Sequence, residues 1–275
     1  MREKIRKVLF VVSTIVTIGA LAGIGWYFLT RHKEQETVEE VKDKVIETID
    51  KCDEQGNPYL RYYLINNNVV QEQYKDVFIE NMDFVGWITI DDTNVDYPVV
   101  YTPEDEQYYL RRNFYKEYSS GGVPFISVGT TLNISDNTII FGHSMNDGSM
   151  FQNIKNYEDE EFYKSHKYIT FNTLTKSSTY EVVAAFRTIT HDDTYEGFDA
   201  YRYINMDEEH FNEYITECQK ETPYEVPKAN YGDKLISLST CAYHATNGRY
   251  IVVAKEISSI EVDTTKDPIE IININ

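Results

Sequence analysis

The spacing of apolar positions takes three forms along this chain, and each predicts a different kind of element. From Val8 to Thr30 there are 23 positions without a charge, which as a helix spans about 34 Å, enough to cross a bilayer. Glu34 to Lys51 carries Val38, Val41, Val45 and Ile49 among many charges, the spacing of an amphipathic helix. Cys52 to Pro58 reads as a turn, followed by a short helical or irregular stretch to about Ile79. Beyond it the pattern becomes that of short strands: Trp87–Ile90, Pro98–Tyr101, Pro124–Ser127, Thr138–Phe141, Tyr168–Asn172, Thr179–Arg187, Leu235–Cys241 and Arg249–Ile257. Helical insertions are predicted at about Asp105–Asn113, Met150–Ser165 and Met206–Glu221. Eight strands suit a closed barrel or a sandwich, folds that leave few edges open, so the class is mainly β with added helices (α+β). The resulting division is 1–7 before the apolar run, 8–30 as the transmembrane helix, 31–79 as a helical stalk region, 80–257 as the main domain and 258–275 as a tail with no assigned role.

Charge changes the picture at the N-terminus. Arg2, Lys4, Arg6 and Lys7 precede the apolar run, whereas Arg31 and Lys33 follow it before the chain turns acidic at Glu34, Glu36, Glu39 and Glu40. The larger positive cluster stays inside, which predicts a cytoplasmic N-terminus and an extracellular remainder. A cleaved signal peptide is the rival reading, because Ala20-Leu21-Ala22 resembles a cleavage site; the apolar run continuing through Leu29 argues against it. The net charge of −19 opposes binding to phosphate backbones, and no basic stripe compensates, so no nucleic-acid partner is expected. The 23 tyrosines favour strands.

Of three cysteines, an odd number outside a cell leaves at least one free thiol. Cys52 and Cys218 could pair and leave Cys241 over, but they read more simply as isolated small hydrophobes. Cys241 is different. It ends the strand Leu235–Cys241, and Arg249 begins the next one across a polar Asn-Gly loop, so an antiparallel pairing sets the two face to face within roughly 5 Å of backbone. Strand alternation puts Cys241 on the face of Ser237 and Ser239, opposite Ile236, Leu238 and Thr240. A thiol beside a guanidinium is a nucleophile beside an anion-stabilising cation. The proton carrier that such a thiol needs is offered by His143, which follows the apolar strand Thr138–Phe141 and Gly142. His244, three residues after Cys241, competes for that role. Asp92–Asp96 begins like an EF-hand loop, but Tyr97 stands at its glycine position and Pro103 at its glutamate. No metal and no cofactor are expected.

Tyr97-Pro-Val-Val100, Thr138-Ile-Ile-Phe-Gly-His143, Asp147-Gly-Ser-Met-Phe151 and Leu238-Ser-Thr-Cys241 followed by Arg249 occur in one order, and together they resemble the sortases, above all class B, the membrane-anchored cysteine transpeptidases of Gram-positive bacteria. The resemblance runs from about Asp83 to Glu256 and selects His143 over His244. It implies a closed eight-stranded sortase-type β-barrel, with a helix at about Met206–Glu221 inserted before the cysteine strand. It also implies a two-step reaction in which Cys241 attacks the threonine carbonyl of a C-terminal sorting motif on a surface protein and passes the acyl group to an amine of peptidoglycan. Leu110, Thr190, Tyr195 and Ser239 are the peptide-binding positions that it suggests. Two residues depart from the family's usual pattern: Ala242 follows the cysteine where an acid is common, and Glu106 replaces an asparagine. The Cys241–Arg249 loop is also short. Pilus-building sortases often carry an Asp-Pro-aromatic lid, absent here, so wall anchoring is favoured over pilin polymerisation. A non-catalytic, membrane-anchored binding module and a cysteine hydrolase are the competing readings; in papain-like enzymes the cysteine precedes the histidine, whereas here His143 comes first.

Overall fold

Eight strands close into a barrel. They are β1 Phe84–Thr89, β2 Asp96–Val100, β3 Phe125–Ile126, β4 Asn137–Phe141, β5 Tyr168–Thr173, β6 Lys176–Ile189, β7 Leu235–Cys241 and β8 Gly248–Glu261, joined in the order β6-β8-β7-β4-β3-β2-β1-β5 and back to β6. The computed structural model describes residues 2–46, 51–53, 55–191, 194–242 and 245–274. Most neighbours are antiparallel, but β4 and β7 run parallel, as do β2 and β3. The interior is filled by side chains such as Ile88, Ile140, Phe171, Val182, Leu238 and Val252, all 0–1 % exposed. Strand β6 shifts register twice against β8, between Thr179 and Tyr180 and between Val182 and Ala184. Such bulges bend a long strand so that it can follow a closed sheet.

The outer face of β7 is polar and nonetheless buried. Ser237 hydrogen-bonds the Tyr214 hydroxyl at 2.8 Å and Ser239 the Tyr201 hydroxyl at 2.7 Å, so tyrosines supply both the apolar cover and the partner that a buried hydroxyl requires. Tyr214 comes from the helix Glu208–Lys220, which lies in sequence before the cysteine strand as expected. Its buried residues Phe211, Tyr214, Ile215 and Cys218 fall at i, i+3, i+4 and i+7. Asp207 caps it by accepting the His210 N–H at 2.9 Å. Cys218 is therefore buried on the inner face of that helix while Cys52 is exposed, and both are free thiols.

Several elements differ from the sequence reading. One helix, α1, runs unbroken from Arg2 to Lys42, because neither proline nor a capping signal separates the apolar run from the amphipathic one; it is long and apolar enough to cross a membrane. The later positions of the predicted amphipathic helix split: Val41 and Val45 pack into an apolar cluster with Ile65, Tyr74 and Phe84, whereas Ile49 lies outside the described residues. The chain forms two compact units, Met1–Glu40 and Val41–Asn275. The irregular stretch before Ile79 contains a hairpin, Tyr62–Ile65 with Asn68–Gln71. Its turn residues Asn66 and Asn67 sit at φ 44° and 64°, the left-handed pair that a two-residue turn needs and that asparagine tolerates. The stretch set apart as a tail is structural too. Ser258–Glu261 completes β8, and Ile271–Ile272 pairs in parallel with Leu64–Ile65. The helices expected at Asp105–Asn113 and Met150–Ser165 are mostly tighter 3₁₀ turns, Tyr108–Arg111 and Phe151–Glu158, with only Glu160–Ser165 α-helical.

Candidate active site

Three adjacent strand ends build the site. Leu235 to Ser239 of β7 pair in parallel with Asn137 to Phe141 of β4, and Leu235 to Cys241 pair antiparallel with Lys255 to Arg249 of β8. Gly142 extends the first ladder by donating its N–H to the Ser239 carbonyl at 3.0 Å, and the Thr240 hydroxyl donates to the Gly142 carbonyl at 2.7 Å. Counting two residues past the Ser239–Phe141 pair brings Cys241 level with His143, while Cys241 is the direct partner of Arg249. The cysteine thus ends the middle strand with Arg249 as its direct partner on one side, about 4.8 Å away between backbones, and with the segment that carries His143 continuing from β4 on the other.

All three side chains are half-buried and line one cavity of ≈ 300 Å³. Local packing fixes each of them. A Cβ placed on Gly142 would lie 2.5 Å from the Phe151 ring, so only glycine admits that ring behind the histidine. The Phe151 N–H donates to the His143 carbonyl at 2.8 Å, and the Tyr97 hydroxyl accepts the Met150 N–H at 2.9 Å. Tyr97 and the Asp147–Phe151 motif are therefore two halves of one support for the residue after Gly142. His143 Nε2 lies 2.9 Å from the Leu110 carbonyl oxygen; a carbonyl only accepts, so Nε2 carries the proton. Arg249 donates to the Gly248 carbonyl at 3.0 Å and has no carboxylate partner among the described residues.

Of the peptide positions read from sequence, Leu110, Thr190 and Ser239 line the same cavity. Tyr195 does not: it is 39 % exposed and stacks on His191 with ring centroids 3.6 Å apart. His244 lies outside the described residues. The sequence reading missed the aromatic wall formed by Phe125, Phe141 and Tyr201, in which Phe141 and Tyr201 stack at 5.6 Å. Burial pushes the Tyr201 phenol up to about 12, with the Ser239 hydrogen bond and the Arg249 charge acting the other way. Nothing in the sequence marks Tyr201 among 23 tyrosines, since its place depends on a turn capped by Asp199 far from any motif. Among the described residues no three His, Cys, Asp or Glu side chains are gathered to hold a metal ion.

Known proteins share this fold. The sortase domain pattern matches residues 88–257. Sortase B of Listeria monocytogenes is 30 % identical over 196 residues, 70 % of this chain and 77 % of the relative. The crystal structure of sortase B from Bacillus anthracis superimposes with a TM-score of 0.68 at 26 % identity, covering 84 % of this chain and 99 % of that one. A substrate complex of Staphylococcus aureus sortase B gives 0.62 at 29 % identity, covering 69 % and 86 %. The barrel, with a cysteine at the end of β7, is that of a cysteine-bearing transpeptidase fold. The chain belongs to the sortase family and is a class B sortase.

Proposed function

We propose that this sortase cleaves a C-terminal sorting motif of surface proteins after threonine and transfers the acyl group to an amine of the cell wall. The observation that carries the reading is that Cys241, its strand partner Arg249 and His143, just past the end of the neighbouring strand β4, line one cavity. In the first step the Cys241 thiol passes its proton to His143, which becomes an imidazolium, and the thiolate attacks the threonine carbonyl carbon; a C–S bond forms and the oxygen becomes an oxyanion, to which Arg249 donates N–H groups. As the intermediate collapses, the C–N bond breaks and His143 gives its proton to the departing amine. Nε2 exchanges the Leu110 carbonyl for that amine, so the carbonyl is the resting acceptor of the catalytic proton. In the second step the acceptor amine attacks the thioester, its proton passes to His143, and sulfur leaves as thiolate.

Two further features support the surroundings of this reaction. The Phe125–Phe141–Tyr201 wall gives an extended peptide apolar surface beside the thiol. Helix α1 contains the uncharged span Val8–Thr30 with its larger basic cluster on the N-terminal side, which favours a membrane anchor with the N-terminus in the cytoplasm and the barrel outside. The solved Staphylococcus aureus relative is a substrate complex, so a class B barrel of this shape accepts substrate.

The test uses the full chain in detergent micelles. Methanethiosulfonate should label Cys241 ahead of Cys52 and Cys218, and a threonine-containing sorting peptide should give a hydroxylamine-sensitive acyl enzyme that Cys241→Ala cannot form. Peptide-to-amine joining by the alanine variant would refute the assignment of the nucleophile.

A further inference from the structure

We propose that Arg111 and Arg112 hold a phosphate group of the amine-bearing acceptor, beside the cavity and on its His143 side. The inference rests on the transpeptidase reading and adds the chemical class of the second substrate. Ion pairing is the rule in the unit Val41–Asn275, as between Lys116 and Asp83 at 3.0 Å, Arg187 and Glu158 at 2.7 Å, or Lys234 and Asp136 at 3.0 Å. Arg111 and Arg112 depart from it. Arg111 donates to the Ser120 carbonyl at 2.8 Å; Arg112 donates to the Tyr108 carbonyl at 2.7 Å and lies over the Tyr108 ring, 4.2 Å from its centroid. Neither meets a carboxylate among the described residues, although Glu104, Asp105 and Glu117 are exposed on the same segment.

Their neighbours set their place. Leu110 lines the cavity, and its carbonyl oxygen lies 2.9 Å from His143 Nε2; the two arginines are the next residues in the chain. The segment doubles back tightly there. The Ser119 N–H donates to the Arg111 carbonyl at 3.1 Å, Arg112 bridges Tyr118, and a Cβ on Gly122, at φ 62°, would lie 2.5 Å from the Tyr109 carbonyl oxygen. Each guanidinium is thus anchored to a neutral carbonyl on a fixed turn, while its charge and remaining donors stay uncommitted among the described residues. A carboxylate offers two oxygens and is satisfied by one planar fork; a phosphate offers three and takes donors from both arginines. The acceptor is the substrate whose amine gives its proton to His143, so it arrives on the Leu110 side. Its nitrogen forms the new amide bond as the C–S bond breaks and sulfur leaves as thiolate, and the phosphate serves only to tether it. The net charge of −19 repels a long polyanion, but screening over about 8 Å at physiological salt leaves a single phosphate group to the two cations beside it.

The experiment uses the full chain in detergent micelles. Inorganic pyrophosphate should bind by calorimetry, and the Arg111→Gln/Arg112→Gln double variant should lose about tenfold in affinity; melting curves establish that it folds. Affinity that falls with Arg249→Gln and not with the double variant would overturn the proposal. On the acyl enzyme, ω-aminoalkyl phosphates of increasing length are compared with the matching aminoalkanols. At one length the phosphate should raise kcat/KM for transfer about tenfold, through KM, and the double variant should close that gap. Equal transfer to the two kinds of acceptor at every length, or a gap that survives the double variant, would also sink it. Phosphatidylglycerol added to the micelles tests the other source of phosphate. If it displaces pyrophosphate and the aminoalkyl phosphates show no gain, the arginines serve a membrane headgroup and the proposal is wrong. Arginine-dependent pyrophosphate binding with no acyl transfer to any amine upholds the anion site and refutes the transpeptidase assignment. Transfer that no phosphate improves does the reverse.

Discussion

The two ends of the barrel use the same strands in opposite ways. At one end, where β7 begins and β8 finishes, charges are paired. Lys176 on β6 and Glu256 on β8 meet at 2.8 Å with side chains only 13 % and 17 % exposed, and Lys234 meets Asp136 at 3.0 Å. The space between these elements is closed to ≈ 20 Å³. At the other end, where β7 finishes and β8 begins, the cavity is ≈ 300 Å³ and the charges of Arg249 and Glu106 meet only backbone and a hydroxyl. A pair of opposite charges brought together on a single wall satisfies itself and leaves nothing for a ligand. Two charges that meet only neutral groups stay available for one. The contrast separates structural from chemical electrostatics within one sheet.

The sharpest way to break this comparison is at the open end. Arg249→Lys keeps the charge but loses the planar fork of donors, and it should lower kcat/KM by about 10²–10³ while leaving the melting temperature unchanged; peptide cleavage and calorimetry on one preparation read both. A large loss of stability with activity intact would mean that Arg249 belongs with the structural charges. At the closed end the expectation inverts. Lys176→Met strands Glu256 in a half-closed space and should cost about 2 kcal/mol of stability, read as a shifted urea midpoint, with activity per folded molecule unchanged.

The smallest effect concerns the wall of the cavity. Tyr201→Phe removes one hydrogen bond with Ser239 and should cost about 1 kcal/mol. Its signature is the pH dependence. The folded phenol is pushed up to about 12 from the ordinary 10, so the folded state holds this proton more tightly than the unfolded one. That contribution is fully present below pH 10 and is lost as pH rises from 10 toward 12. The stability gap between the parent and Tyr201→Phe should therefore narrow over that range in urea titrations at pH 8, 10 and 11. A constant gap would place the Tyr201 phenol in water-like surroundings.

Much of the barrel was legible because strand signals are local. Leu235–Cys241 and Arg249–Ile257 are marked by β-branched runs on either side of an Asn-Gly loop, and a hairpin fixes its own register. Cys241 opposite Arg249 follows from that alone. The Tyr62–Gln71 hairpin was equally local, and its Asn66-Asn67 turn was the available signal. The Ile271–Ile272 pairing was not local, since a strand of two residues carries no pattern and acquires one only beside Leu64–Ile65. Tyr195 and Tyr201 divide in the same manner: both lie between β6 and β7, and only the packing of the Ala200–Arg202 turn against Phe141 and Ser239 decides which of them faces the cavity.

By itself the sequence determined the eight strands, the long apolar helix and the partnership of Cys241 with Arg249, because each depends on residues within a few positions of one another. Only the tertiary structure decided that β4 lies beside β7, 98 residues away at the Thr240–Gly142 contact, and so that His143 lines the same cavity as the thiol. It also decided that Glu106 and Arg249 line one cavity. Parallel neighbours and cavity walls are chosen by burial of whole sheet faces, a property that no short segment carries.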